Sequence, residues 1–223
     1  MTLTQSLQNL EAALAQVLNA ARLDDKTPLQ NGLSLNESKA TFASSNDSYD
    51  VIAFADINRF KKINTEHGYA AGDAAINKIG TLMHERFVKG LEAQAFRQSG
   101  DEFVILFHQK HLENFINATA SFESCPIEFG EKSFIAPVSF GYAISDGQND
   151  FETVKSRAEV ACKIAKSQGD GTCVGWTPKM EHDSFESLRD NCPDCLSVTS
   201  CEVPASLNIN KVQFCGACGK FLG

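Results

Sequence analysis

Val51 to Ala55 form an unbroken apolar run, preceded by Asp50 and closed by Asp56. A run this short and this apolar reads as a strand buried on both faces, over Asp50–Ala55. Such a strand needs other elements on either side, and the chain supplies them. Ile76, Ile79, Met83 and Phe87 mark one face of a helix over 70–88. Leu112, Phe115, Ile116, Thr119 and Phe122 mark a second, and Val154, Ala158, Ala161, Ile164 and Ala165 a third, stopped near Gly169. Between them, Ala95–Gln98 and Glu102–His108 flank a Ser-Gly-Asp turn, a hairpin signal. Ile127–Phe129 and Ser133–Ile144 read as a second hairpin around Gly130-Glu131-Lys132, and Thr172–Trp176 as a last short strand. The alternation predicts an α/β (α+β) domain. With 43% hydrophobic and 22% charged residues, the chain has the means to bury a core.

The flanks differ from this middle. Leu3, Leu7, Leu10, Leu14, Val17 and Ala21 recur at spacings of four and three, a short heptad seam on a helix over 3–22. That helix either packs on its own domain or pairs with a second copy. Residues 24–48 read as an irregular connection, and 178–191 as a polar connector. The net charge of −8 disfavours nucleic acid and anionic membranes as partners. No apolar run is long enough to span a bilayer, and Met1 to Leu10 lack the pattern of a signal peptide. The expectation is a soluble, cytoplasmic protein. In that compartment its eight cysteines favour metal binding or burial over disulfides.

Cys192-Pro193-Asp194-Cys195 and Cys215-Gly216-Ala217-Cys218 are two CxxC pairs separated by nineteen residues. Four thiolates so spaced suit a tetrahedral structural Zn²⁺ site, and the tail looks like a zinc ribbon. So short a tail would take its folding energy from the metal. It carries no basic stripe with interleaved aromatics, so a protein partner or an intramolecular role is favoured. Cys201 is a spare thiol nearby. Cys125, Cys162 and Cys173 are expected in the domain interior.

Asp56 at a strand end, with Asp101 and Glu102 at a hairpin tip, admits two readings. Converging carboxylates are the hard oxygen ligands that Mg²⁺ needs. The same residues also serve as a helix cap and a turn. The words around them bear on that choice. Asp56-Ile57-Asn58-Arg59-Phe60-Lys61-Lys62-Ile63-Asn64, Gly68, Gly72-Asp73 and Arg97-Gln98-Ser99-Gly100-Asp101-Glu102-Phe103 closely resemble the GGDEF family of diguanylate cyclases. So do Ser139-Phe140-Gly141-Tyr142-Ala143 and Ala165-Lys166-Ser167-Gln168-Gly169. Asp25-Lys26-Thr27-Pro28-Leu29-Gln30-Asn31 looks like a worn form of the family's opening motif, DxLTGLxNR. The resemblance covers about residues 24–176.

The resemblance implies a palm-like domain: a central, mostly antiparallel sheet flanked by helices, here over 24–177. An N-terminal helix (1–23) precedes it and a linker with a zinc-ribbon-like tail (178–223) follows. It implies condensation of two GTP into cyclic di-GMP across a homodimer, with two Mg²⁺ or Mn²⁺ per active site. By position, Asp56, the Ile57 carbonyl and Asp101 would be metal ligands. Asp101, Glu102 and Lys61 would be catalytic, with Glu102 helping to deprotonate the attacking 3′-hydroxyl. Asn64, Asp73, Phe60, Lys166 and Arg97 would bind substrate. Asn64 and Asp73 match the pair that reads the guanine edge, which favours GTP over ATP.

Some positions depart from the family pattern. Ser99 replaces the first glycine of the signature, Tyr69 a histidine, and Gly32 an arginine. Asp170 stands where a basic residue is usual, so it is expected to repel a triphosphate. Gly90 and Ala93 occupy the positions of the family's inhibitory Arg-x-x-Asp site, whose chelating charges are therefore missing. The alternative implied by these departures is a catalytically degenerate module of the same fold. It would bind nucleotide or a protein partner, with the ribbon sensing metal or mediating contact.

Overall fold

The computed structural model describes residues 3–42 and 48–180. The chain divides into two compact units, Met1–Gly175 and Trp176–Gly223. Cys192, Cys195, Cys201, Cys215 and Cys218 lie outside the described residues, and with them the expected zinc ribbon.

The first unit is built on a five-stranded sheet of order β2-β3-β1-β6-β7. Its strands are β1 (Val51–Ile57), β2 (Gln94–Ser99), β3 (Glu102–Phe107), β6 (Val138–Ile144) and β7 (Cys173–Gly175). All neighbours are antiparallel except β6 and β7. A separate hairpin pairs β4 (Pro126–Phe129) with β5 (Lys132–Ile135). The helices are α1 (Leu3–Ala21), α2 (Gly32–Ser38), α3 (Phe60–His67), α4 (Tyr69–Met83), α5 (Leu112–Thr119) and α6 (Phe151–Gln168).

β1 is central and buried on both faces, as its composition predicts. Val51, Ala53, Ala55 and Ile57 share a core with Ala75, Ile76, Ile79 and Met83 of α4. Phe87, Phe115, Phe122 and Phe140 close that layer with ring centroids 5.0–6.0 Å apart. Each such ring, taken from water, contributes roughly 1.5–3 kcal/mol. The opposite face of β1 meets α6. There Gly141 of β6 lets the helix close on the sheet, since a Cβ would lie 2.0 Å from the Cys162 backbone nitrogen. Asp150 caps α6 by accepting from the Thr153 N–H at 2.8 Å.

Several boundaries differ from the sequence reading. β1 continues through Asp56 to Ile57, because β3 and β6 pair with it to that point. Helix α3 was not expected; it has a single buried residue, Ile63, and so no apolar rhythm to announce it. Helix α2 lies within the segment read as irregular, capped by the Asn31 carboxamide, which accepts from Leu33 and Ser34 N–H. The expected long strand 133–144 is two strands, broken at Ala136-Pro137. Proline has no N–H to donate, and its carbonyl accepts instead from Asn58 N–H at 2.8 Å. The helix expected over 70–88 ends its α-helical part at Met83 and finishes in a π-helical turn, His84–Lys89.

Cys125 and Cys162 are buried thiols and Cys173 is partly buried. Burial pushes the Cys162 thiol up to about 12 and Cys173 to about 11, which keeps both unreactive near neutral pH. Among the described residues no helix is long and apolar enough to cross a membrane.

Candidate active site

The site forms where β1 ends beside the β2–β3 turn. The sheet register sets Asp56 opposite Glu102 on one side and Ser139 on the other. Ile57 N–H donates to the Asp101 carbonyl at 3.3 Å, which ties the turn to the strand end. The turn itself is tight: Gly100 has a left-handed φ of +47°, and the register shifts between Arg97 and Ser99.

Two clefts open on either side of the carboxylates. The first, about 350 Å³, is lined by Phe60, Lys61, Asn64, Thr65, Tyr69 and Asp101. The second, about 190 Å³, gathers Asp56, Glu102 and Lys166 with Phe54, Glu159 and Cys162. Of the residues singled out from sequence, Phe60, Lys61, Asn64 and Asp101 line the first cleft and Asp56, Glu102 and Lys166 the second, while Ile57, Asp73 and Arg97 line neither.

Burial raises the Asp56 carboxyl above its ordinary value. The Lys166 ammonium, ion-paired with Asp56 Oδ1, opposes that rise, while Asp101 and Glu102 add to it. Oδ1 is buried and makes no other bond. Burial also raises Asp101, against the pull of Lys166. Asp56 and Asp101 are partly buried and both are raised by the neighbouring Glu102 charge, so this is a place where a divalent cation would relieve both costs. Among the described residues no cluster of three or more Asp, Glu, His or Cys side chains stands ready to hold a metal. The donor set that could hold one is the Asp56 and Asp101 carboxylates with a backbone oxygen. It fits an ion whose remaining positions are filled by phosphate and water.

Ser99 is accounted for by its hydroxyl, which donates to Glu102 Oε2 at 2.9 Å. Arg97 stands apart from both clefts. Its side chain is 11% exposed; it donates to Asp24 Oδ2 and to the Gly100 carbonyl, both at 2.9 Å. Burial would raise Asp24, but hydrogen bonds from Thr27, Lys26 N–H and Arg97, with the Arg97 charge, leave it below the ordinary value. Asp170, the acid at a position where a basic residue is usual, is engaged by neighbouring side chains. Its carboxylate accepts from Asn58 Nδ2 at 2.9 Å and pairs with Arg59 at 3.1 Å, in a third cleft. There it holds the left-handed turn at Arg59.

Asn64 and Asp73 become neighbours through Gly72. A Cβ on Gly72 would sit 1.9 Å from Asn64 Oδ1, so the two helices meet there without a side chain between them. Asn64 Oδ1 is buried with no donor. Asp73 is on the exposed face of α4, and Lys26 Nζ lies 2.6 Å from its Oδ1. The pairing of Lys26 with Asp73 was not read from the sequence. Its signal was a basic residue inside a motif with an apolar residue at that position.

Residues 21–172 match the family model "Diguanylate cyclase, GGDEF domain". The chain is 27% identical over 167 residues to the diguanylate cyclase DgcN of Escherichia coli, covering 71% of this chain and 40% of that protein. It is 27% identical over 175 residues to the diguanylate cyclase DgcP of Pseudomonas aeruginosa, covering 75% and 26%. The chain thus spans less than half the length of these curated relatives. The coiled coil and GGDEF domain of DgcB from Caulobacter crescentus superposes with a TM-score of 0.66 at 21% identity, over 77% of this chain and 94% of that one. The SiaD diguanylate cyclase of Pseudomonas aeruginosa, solved with its activator SiaC, gives 0.66 at 22% identity over 77% and 68%. A matched two-thirds of the chain, a shared palm-like sheet and a hairpin reading Ser-Gly-Asp-Glu-Phe make this protein a member of the GGDEF-domain family.

Proposed function

We propose that the chain is a diguanylate cyclase that condenses two GTP into cyclic di-GMP. The observation that carries this reading is the convergence of Asp56 and Asp101 with Glu102 and Lys166 at one end of the sheet. In each half-reaction a 3′-oxygen bonds to the α-phosphorus of the other GTP, and the bond to pyrophosphate breaks. Glu102 accepts the hydroxyl proton, directly or through water. Lys61 and Lys166 offset charge on the phosphates. Asn64 and Asp73 read the guanine edge, and Phe60 forms an apolar wall of the first cleft. Arg97 acts from beneath by fixing the hairpin. Mg²⁺ or Mn²⁺ held by Asp56, Asp101 and the Ile57 carbonyl would neutralise charge as the α-phosphate reacts.

Two GTP must meet, so the active form is a homodimer. Helix α1 supports this: Leu7, Leu10, Leu14 and Val17 are 52–66% exposed along one seam. In the same reading 1–23 is the dimerisation helix, 24–177 the cyclase domain and 178–223 the linker and ribbon. Cys192, Cys195, Cys215 and Cys218 would hold structural zinc on the strength of their spacing, and the ribbon would offer a surface to a protein partner. A supply of GTP puts the reaction in the cytoplasm.

A second reading, a nucleotide-binding module without turnover, is favoured by Ser99, which stands in place of the first glycine of the family signature. Chromatography of products from GTP with Mg²⁺ or Mn²⁺ separates the two. Cyclic di-GMP from the wild type and none from Asp101→Ala is the expected result. GTP binding without product by a folded, dimeric sample would favour the second reading.

A further inference from the structure

We infer that Lys26 sets how strictly this protein selects guanine, by competing for the carboxylate that reads it. The inference rests on the proposed role of Asp73 in base recognition. Guanine offers two adjacent donors, N1–H and the 2-amino group, and a carboxylate reads both by accepting with each oxygen. Here Oδ1 of Asp73 already faces the Lys26 ammonium at 2.6 Å.

The lysine is held in place along α4. Asn77, one turn beyond Asp73, donates from Nδ2 to the Lys26 carbonyl at 2.7 Å. Lys26 N–H donates to Asp24 Oδ1 at 3.1 Å, and Asp24 is anchored by Thr27 Oγ1 and Arg97, each at 2.9 Å. The backbone under the ammonium is therefore fixed to both the helix and the hairpin. Nothing comparable supports Asn64, whose Oδ1 waits without a donor. Alignment on Asn31 sets Lys26 at the leucine of the motif DxLTGLxNR. A leucine has no charge to place on Asp73, so the competition is a property of this chain.

Two consequences follow. The 2-amino group of guanine gains less from a carboxylate oxygen shared with an ammonium, so the preference for guanine over inosine nucleotides is reduced. The penalty is modest because the pair is solvated, with side chains 37% and 52% exposed. Exposed ion pairs of this kind contribute about 0.2–1 kcal/mol, so the affinity change is roughly up to five-fold.

The test measures dissociation constants of 3′-deoxy-GTP, 3′-deoxy-ITP and 3′-deoxy-ATP, which lack the attacking hydroxyl, for the full chain with Mg²⁺. Lys26→Leu should tighten the guanine nucleotide about two- to five-fold, raise its preference over inosine by a similar factor, and leave the adenine nucleotide unchanged. Lys26→Arg, which keeps a cation on Asp73, should behave as the wild type. A guanine-to-inosine ratio unmoved by Lys26→Leu, or a weaker guanine nucleotide, would overturn the inference while leaving the site assignment standing. If neither wild type nor variants bound any of the three, the proposed function would fall and this inference with it.

Discussion

The two clefts beside the carboxylates are built on different principles. In the second, the carboxylates are already partnered: Asp56 with Lys166, Glu159 with Lys155, and Glu102 with Ser99. In the first, Asn64 Oδ1 has no donor, and Lys61 makes no ion pair among the described residues. Satisfied networks hold a fixed geometry, whereas unsatisfied buried groups carry a cost that only a ligand removes. The contrast assigns different work to the two sides. On the proposed function, the first cleft would receive the nucleotide and the second would hold the acids in place beside the reacting phosphate.

The comparison can be broken most severely at its shared wall. Asp56→Ala or Asp101→Ala should lower cyclic di-GMP formation at least about a hundredfold, the scale of losing one preorganised electrostatic group, with circular dichroism unchanged. Lys166→Ala comes next. It leaves Asp56 without its cation, so turnover should fall about ten- to a hundredfold, as for a lost charge-assisted hydrogen bond. The metal-free protein should also melt earlier in calorimetry. On the receptive side, Asn64→Ala should weaken GTP binding by up to about tenfold, but leave the melting temperature in place. If Asn64→Ala destabilised the apo-protein as much as Lys166→Ala does, the division of labour would be wrong.

Asp24 provides a smaller and sharper test, because it braces the hairpin that both clefts share. Its folded carboxyl sits below the ordinary value of 3.8. The stabilisation is therefore complete above the unfolded pKa and is lost as pH falls through the folded one. Asp24→Asn should lower the melting temperature at pH 7 by about 2–4 °C for each kcal/mol removed. The gap from wild type should narrow as pH falls below the ordinary value of 3.8 and close below the folded one. A gap that stays constant between pH 7 and pH 3 would remove the ion pair from the account.

Much of this architecture was legible because its signals are local. Val51–Ala55 has to be a buried strand, and the rhythm of Ile76, Ile79 and Met83 has to face it. The hairpin around Ser99-Gly100-Asp101 declares itself by its turn. Helix α3 escaped notice because Lys61, Lys62, Asn64 and Glu66 leave only Ile63 to the core. The site shows the same split. Asp56, Asp101 and Glu102 stood out as acids at strand ends and turns. Their pairings did not: Lys166, singled out only through the family resemblance, reaches Asp56 from over a hundred positions away, and Lys26 reaches Asp73 from forty-seven. Such pairings depend on how the elements pack, as does the contact of Asp170 with Arg59.

The central claim is that Asp56 and Asp101 act as one cation site completed by nucleotide phosphates. Electron paramagnetic resonance of Mn²⁺ with 3′-deoxy-GTP measures it directly. The wild type should bind Mn²⁺ tightly only when nucleotide is present, and Asp56→Asn and Asp101→Asn should each abolish the tight component. Mn²⁺ binding of wild-type strength in either variant would contradict the account.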